Sequence, residues 1–276
     1  MKRERALQPK NALRIGVVMI QQLQHYVPVF VLVVFRLAGM MVFAPLFGSA
    51  KVPKRLKAMF VLVLALGMTS SVSQPPELPS NEWDLAIGIG GELAFGLAMG
   101  TILSLVFIAV QWAGEIIGQQ MGFNLSEVFD PQFGAQGSLI GDAYFMLTLV
   151  VFLIVGGHRA MIQGVQASFH ILPLMSVGIN HSLVDLLARL IESATILAFR
   201  LAAPMLVTLM MTDLVLGLIG KTMPQMNVMA MGLNLRSAVG MIVIILGLTL
   251  TVRVMRDSVL ESMLTMWNGW TGAVGS

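Results

Sequence analysis

Apolar runs too long for a soluble core dominate this sequence, and they restrict the backbone before anything else does. They cover about Val27–Gly48, Leu56–Val72, Leu85–Val110, Ala143–Val155, Leu186–Ile219 and Ala238–Val252. Inside hydrocarbon a chain must satisfy its own backbone hydrogen bonds, which leaves helices and closed barrels. No run alternates with the period of two that a barrel strand needs. The fold class expected is therefore all-α and membrane-associated: about six hydrophobic helices in hairpins, kinked and partly broken. Composition agrees, with 57% hydrophobic and 11% charged residues and a mean hydropathy of +0.84, against roughly 25% charged residues in soluble domains. A secretory signal peptide is not expected, because the first apolar run begins only near Val27 and no small-x-small cleavage site comes after it.

Two of these runs carry internal warnings. Leu186–Ile219 exceeds the roughly 20 residues that span hydrocarbon, and Pro204 in its middle is expected to kink it or divide it in two. Residues 157–185 are ambiguous, partly apolar but holding His158, His170, Pro173 and His181. They read as a helix plus a surface loop.

The middle of the chain breaks the apolar pattern. Gln111 to Gly137 is rich in glycine and amide side chains, and Gly114, Gly118 and Gly122 recur every fourth residue. If helical, they line one face and admit another backbone closely, as do Gly96 and Gly100 upstream. Asp130-Pro131 breaks the helical pattern, and Phe123, Phe129 and Phe133 stud the same segment. Irregular backbone at this place is tolerated only inside protein or along a water-filled cavity. A pore loop is the expectation.

Charges stranded in apolar surroundings form the second signal: Arg36, Glu92, Glu115, Arg189, Glu192, Arg200 and Asp213. A charge at the bilayer centre costs about 2.5–3.5 kcal/mol on insertion scales. Three arrangements accommodate them: internal pairs, a proton or ion pathway, or contacts with partner subunits. Asp185, Arg189 and Glu192 have the spacing to neutralise one another on one helical face. The methionines, 22 in all, fill irregular gaps in a helical core or seal against changing partners.

Several function classes drop out. No cysteine is present, so disulfides, thiolate metal sites and cysteine nucleophiles are excluded. The sequence has no H-E-x-x-H, G-x-S-x-G or P-loop and no metal-spaced cluster of His and carboxylates. We expect no enzyme activity, no metal and no cofactor. Basic residues gather at the N-terminus and in the loop Lys51–Lys57 without aromatic interleaving, so nucleic acid is not an expected partner. Counting these charges does not orient the chain: placing the Lys51–Lys57 and Lys221–Arg236 loops in the cytoplasm leaves the basic N-terminus outside. A transporter built on Arg36, Glu92, Arg200 and Asp213 would call for internal repeats with matching broken helices, and none is evident.

Taken as an ordered set, several stretches resemble one family. They are Ala44-Pro45-Leu46-Phe47, Val52-Pro53-Lys54-Arg55-Leu56-Lys57, Ala113-Gly114-Glu115-Ile116-Ile117-Gly118-Gln119-Gln120-Met121-Gly122-Phe123 and Asp130-Pro131. Later in the chain come Gly157-His158, Ser168-Phe169 before Pro173, Pro204 before Asp213, and Gly217 through Pro224-Gln225-Met226-Asn227 to Gly232. In this order they resemble the FliR/SctT family of type III export-gate proteins, flagellar or, as the alternative, injectisome.

The resemblance implies a single copy in a hetero-oligomeric helical assembly with several copies of FliP-like and FliQ-like subunits. It implies a FlhB-like protein at the cytoplasmic entrance and unfolded exported proteins as substrates. The expected location is the bacterial inner membrane at the flagellar basal body, with the assembled gate largely on the periplasmic side. By the same resemblance, residues 27–185 form FliP-like hairpins after a basic segment 1–26, and residues 186–256 a FliQ-like hairpin before a tail, 257–276. A plug at about 121–137 would include Met121, Gly122, Phe123, Phe129, Asp130, Pro131 and Phe133. The loop with Lys221, Pro224, Gln225 and Asn227 would face the cytoplasm, leaving the N-terminus outside.

Overall fold

The computed structural model describes residues 8–45, 47–48, 52–69, 72, 81–123, 138–175, 181–223 and 228–273. Among them are seven helices and no strand: α1 (Gln8–Phe43), α2 (Lys54–Thr69), α3 (Glu82–Met121), α4 (Leu139–Ile154), α5 (Gly157–Ile171), α6 (His181–Thr222) and α7 (Val228–Ala273). The all-α expectation holds. Four of these helices have the length and apolarity to cross a membrane, or five if α4 and α5 count as one broken span.

The ambiguous stretch supplies α5, which meets α4 at a 68° bend. The bend falls at Gly156, whose φ of +80° is one a side chain would resist. Pro204 sits inside α6 without dividing it, although the ring removes one backbone donor. The sixth apolar segment and the tail are one helix, α7, running to Ala273.

Contacts separate two compact units that do not follow the linear order. The first comprises Met1–Thr101, Ile162–Asn180 and Gly269–Ser276; the second comprises Ile102–Met161 and His181–Asn268. The chain passes from one to the other inside α3, whose 40 residues extend about 60 Å, twice the hydrocarbon thickness.

In the first unit α1 and α3 meet backbone to backbone. A Cβ on Gly39 would strike the Leu93 carbonyl, and one on Gly96 the Arg36 carbonyl. One on Gly100 would come 2.5 Å from the Met40 carbonyl. Phe47 stacks on Phe60 at 4.7 Å between ring centres, closing the α1–α2 turn. The second unit has its core where α3, α4, α6 and α7 bring together Ile117, Met121, Tyr144, Ala202, Leu209 and Met255.

Candidate functional site

The second unit positions the ends of the central segment. Gly122 takes φ +83°, and its N–H donates to Gln119 O while Phe123 N–H donates to Gly118 O. This pair of bonds is a Schellman closure, so Gly122 terminates α3 in addition to extending the glycine row. On the other side Ser138 caps α4, its Oγ accepting from Gly141 N–H at 3.2 Å.

The two helix ends lie against each other because the facing residues are small. A Cβ on Gly114 would fall 2.7 Å from Gly141 Cα, and one on Gly118 would fall 2.8 Å from Ser138 Oγ. Both glycines are buried. Segment 124–137 is thus flanked by ends that meet within about one helical turn. Phe129, Asp130, Pro131 and Phe133 lie outside the described residues.

A third element braces this base. Ser237 Oγ on α7 lies 3.0 Å from Met121 O, one of the carbonyls that a helix C-terminus leaves open, and 3.0 Å from Leu233 O of its own helix, so its one proton is shared between the two. Met121 is fully buried, and its side chain occupies the space a Cβ on Gly240 would need. Nothing in the sequence singles out Ser237; only an intramolecular neighbour reveals it. We expect Ser237→Ala to lower stability by about 0.6–1 kcal/mol, a small drop in thermal midpoint in detergent. A drop no greater than that of an exposed α7 control such as Leu246→Ala would argue against the brace.

The first unit holds the other candidate. Arg36 on α1 is completely buried, with Nε donating to Glu92 Oε2 on α3. Its Nη1 donates to Ser168 Oγ at 3.2 Å, and Nη1 and Nη2 both donate to Leu172 O, at 3.2 and 3.3 Å. Its guanidinium lies over the rings of Phe95 and Phe169, 4.7 and 4.8 Å from their centres. The other oxygen of Glu92 accepts from Met175 N–H at 2.8 Å, and Met175 has φ +67°. The cluster therefore joins α1, α3, α5 and the turn after α5, with every charge compensated.

The remaining stranded charges divide. Asp213 on α6 forms an ion pair with Arg236 on α7, both part-exposed. Arg189, Glu192 and Arg200 are exposed and Glu115 is half-buried; no ion pair joins any of them to a described side chain, and the side chain of Asp185, the other expected partner of Arg189, lies outside those described. Arg189 and Glu192 do not neutralise each other despite their spacing. Lys221 is exposed at the end of α6; Pro224, Gln225 and Asn227 lie outside the described residues. No group of three or more His, Cys, Asp or Glu capable of holding a metal occurs among the described residues.

Residues 27–262 match the family described as Bacterial export proteins, family 1. The chain is 33% identical over 244 residues to the Flagellar biosynthetic protein FliR of Bacillus subtilis (strain 168), covering 87% of this chain and 94% of that protein. It is 30% identical over 203 residues to FliR of Escherichia coli (strain K12), covering 71% and 75% respectively. Surface presentation of antigens protein SpaR of Shigella flexneri is 27% identical over 214 residues, covering 77% of this chain and 82% of SpaR. The family match runs through both units. The chain belongs to the bacterial export protein family that includes FliR and SpaR, and is a component of a flagellar or type III export apparatus.

Proposed function

We propose that the chain is a core subunit of the flagellar protein export gate in the bacterial inner membrane. It forms, with FliP-like and FliQ-like subunits, the channel for unfolded flagellar proteins, and segment 121–137 plugs that channel at rest. The observation that carries the plug assignment is the construction of its base. Glycines at 114, 118 and 141 let the two flanking helices touch, and α7 latches the end of α3 through Ser237. A base held on three helices anchors both flanks of a polar, aromatic segment in an otherwise apolar protein.

The flagellar reading is favoured over the injectisome reading by the higher identity and coverage of the Bacillus FliR match relative to SpaR. Multi-subunit assembly is supported by how little of α6 and α7 the chain buries itself: 22% and 11% of their most apolar windows, against 56% for α3. A FlhB-like protein at the cytoplasmic entrance and a gate lying largely on the periplasmic side complete the proposal.

The test is a deletion within 124–137, leaving Phe123 and Ser138 in place. Cells are expected to admit small ions while the chain still assembles with its partners. Unchanged membrane conductance in a correctly assembled complex would remove the plug assignment. Purification through a tag on this chain tests the assembly itself: recovery of a stable, solitary monomer would count against it.

A further inference from the structure

The first turn of α2 carries positive charge that the chain around it does not answer. Lys54 and Arg55 are exposed, Lys57 is half-buried just after them, and no carboxylate occurs in the sequence between Glu4 and Glu77. No ion pair joins Lys54 or Arg55 to a described side chain. The helix dipole disfavours cations in a first turn, so their placement does not serve the helix itself. α2 is also short: its 16 residues extend about 24 Å, less than the roughly 30 Å of a hydrocarbon core.

From this end an apolar stripe leads along the helix. Arg55, Met59, Leu62 and Leu66 follow one another at intervals of four, three and four, with Leu56 and Val63 beside them, and all six are exposed. Leu66 is also one wall of a groove of about 540 Å³, lined in addition by Tyr26, Val27 and Phe30 on α1 and by Thr69 and Val72. Its lining is mostly apolar, and Thr69 Oγ already donates to Ala65 O at 2.6 Å. Arg55 and Leu66 are eleven positions apart, a rise of about 16 Å. One leaflet is about 15 Å deep, half of the roughly 30 Å core. A cation, an apolar track and a groove thus fall at the depths of the phosphate, the tail and the tail end of one lipid molecule. Exposed apolar side chains alone would not single out α2, since α6 and α7 carry more of them. What α2 adds is a group of unanswered cations at one end of the stripe and a groove at the other.

We infer that α2 binds an anionic phospholipid, its phosphate at Lys54 and Arg55 and one acyl chain laid along the stripe into the groove between α1 and α2. Charge complementarity and length together select this occupant. A second copy of the same segment would bring further cations and no carboxylate. Free phosphate would answer the cations and leave the stripe and the groove uncovered. A neutral phospholipid would cover the stripe and leave the cations unanswered. The inference takes only the membrane setting from the proposed function and is independent of the plug.

The test uses the full chain, expressed with the whole export apparatus and reconstituted into nanodiscs of phosphatidylcholine that contain a trace of photoreactive lipid. That lipid carries a diazirine at the end of one acyl chain and either a phosphatidylglycerol or a phosphatidylcholine headgroup. Each Lys or Arg close to anionic lipid is worth about fivefold in binding. Phosphatidylglycerol adducts are therefore expected at the groove, on Phe30, Leu66 or Val72, about 25-fold above those of phosphatidylcholine. Arg55→Gln should cut this preference about fivefold, and Lys54→Gln combined with it should abolish the preference. Leu66→Trp, which fills the groove from an exposed position, should lower the groove adducts of phosphatidylglycerol.

Equal labelling of the groove by the two headgroups would overturn the inference, as would phosphatidylglycerol adducts that fall elsewhere and spare the groove. A photo-crosslinking residue at Met59 in native membranes gives a second reading. Lipid adducts there support the site, and adducts with protein alone overturn it. If Arg55→Gln fails to accumulate, the headgroup contrast in the unaltered chain decides the matter. The lipid site and the gate fail separately. Equal labelling in a chain that still co-purifies with FliP-like and FliQ-like subunits sinks the lipid site alone. Selective labelling of a chain recovered as a solitary monomer sinks the gate alone.

Discussion

A chain carrying Glu92→Ala is expected to reach membranes at a small fraction of the normal level and to melt far below it in detergent. The substitution strands the Arg36 guanidinium, which has no exposed surface at all, without its carboxylate. Breaking one side of a buried pair costs about 3–5 kcal/mol, a large share of the roughly 5–15 kcal/mol that holds a typical domain together. Met175 N–H also loses its acceptor in a turn that already holds a non-glycine residue at φ +67°.

The pattern of partial rescues separates a charge effect from a packing effect. Exchanging the two residues, Arg36→Glu with Glu92→Arg, should not restore stability. The guanidinium at position 36 also serves Leu172 O and Ser168 Oγ, and a carboxylate there cannot donate to a carbonyl. Replacing both by apolar residues of similar volume, Arg36→Met with Glu92→Leu, should be less harmful than Glu92→Ala alone, because no naked charge remains. Levels measured by immunoblot and thermal midpoints of the purified protein decide it. Glu92→Ala with a normal midpoint would show that the cluster does not hold the first unit together.

Much of this architecture is legible in the sequence, and the parts that are not have identifiable causes. Apolar run length sets the helical class, because hydrocarbon leaves the backbone so few options. The stranded charges are visible as an anomaly, yet three accommodations stay open until the fold is known. The structure realises internal pairing for Arg36 with Glu92 and for Asp213 with Arg236, and withholds it from Arg200. Pairs 56 residues apart in the chain leave no periodic trace. Local spacing misleads at Arg189 and Glu192, where three residues of separation permit a contact that the two exposed side chains do not make. At the central stretch the glycine row is readable, but Gly39, Gly141 and Ser237 are not. Each acquires its meaning only from the backbone opposite, and a lone glycine or serine in an apolar run has no signature of its own.

Gly96→Ala, one methyl group, is expected to damage the first unit nearly as badly as the loss of Glu92. Three glycines of α3 form a graded series that isolates the reason. At Gly90 a Cβ meets nothing within 4 Å, so Gly90→Ala should be neutral or gain up to about 1 kcal/mol of helix propensity. At Gly88 the Cβ would come 2.7 Å from Met175 Cε, the far end of a flexible side chain that can swing aside, and the effect should be small. At Gly96 the obstacles are the Arg36 carbonyl group and Met40 N, backbone atoms of a packed helix, with Met40 N at 3.0 Å. They yield only if α1 and α3 separate. Overpacking of this kind typically costs about 1–3 kcal/mol, occasionally more, and here the separation also draws Arg36 away from Glu92. The Gly96→Ala and Glu92→Ala effects should therefore fall short of additivity in the double variant, since the first already weakens the contact that the second removes. Thermal midpoints of Gly90→Ala, Gly96→Ala, Glu92→Ala and the double variant, measured in the same detergent, supply the test. Equal midpoints for Gly90→Ala and Gly96→Ala would mean that the two helices do not meet at the closeness on which both expectations rest.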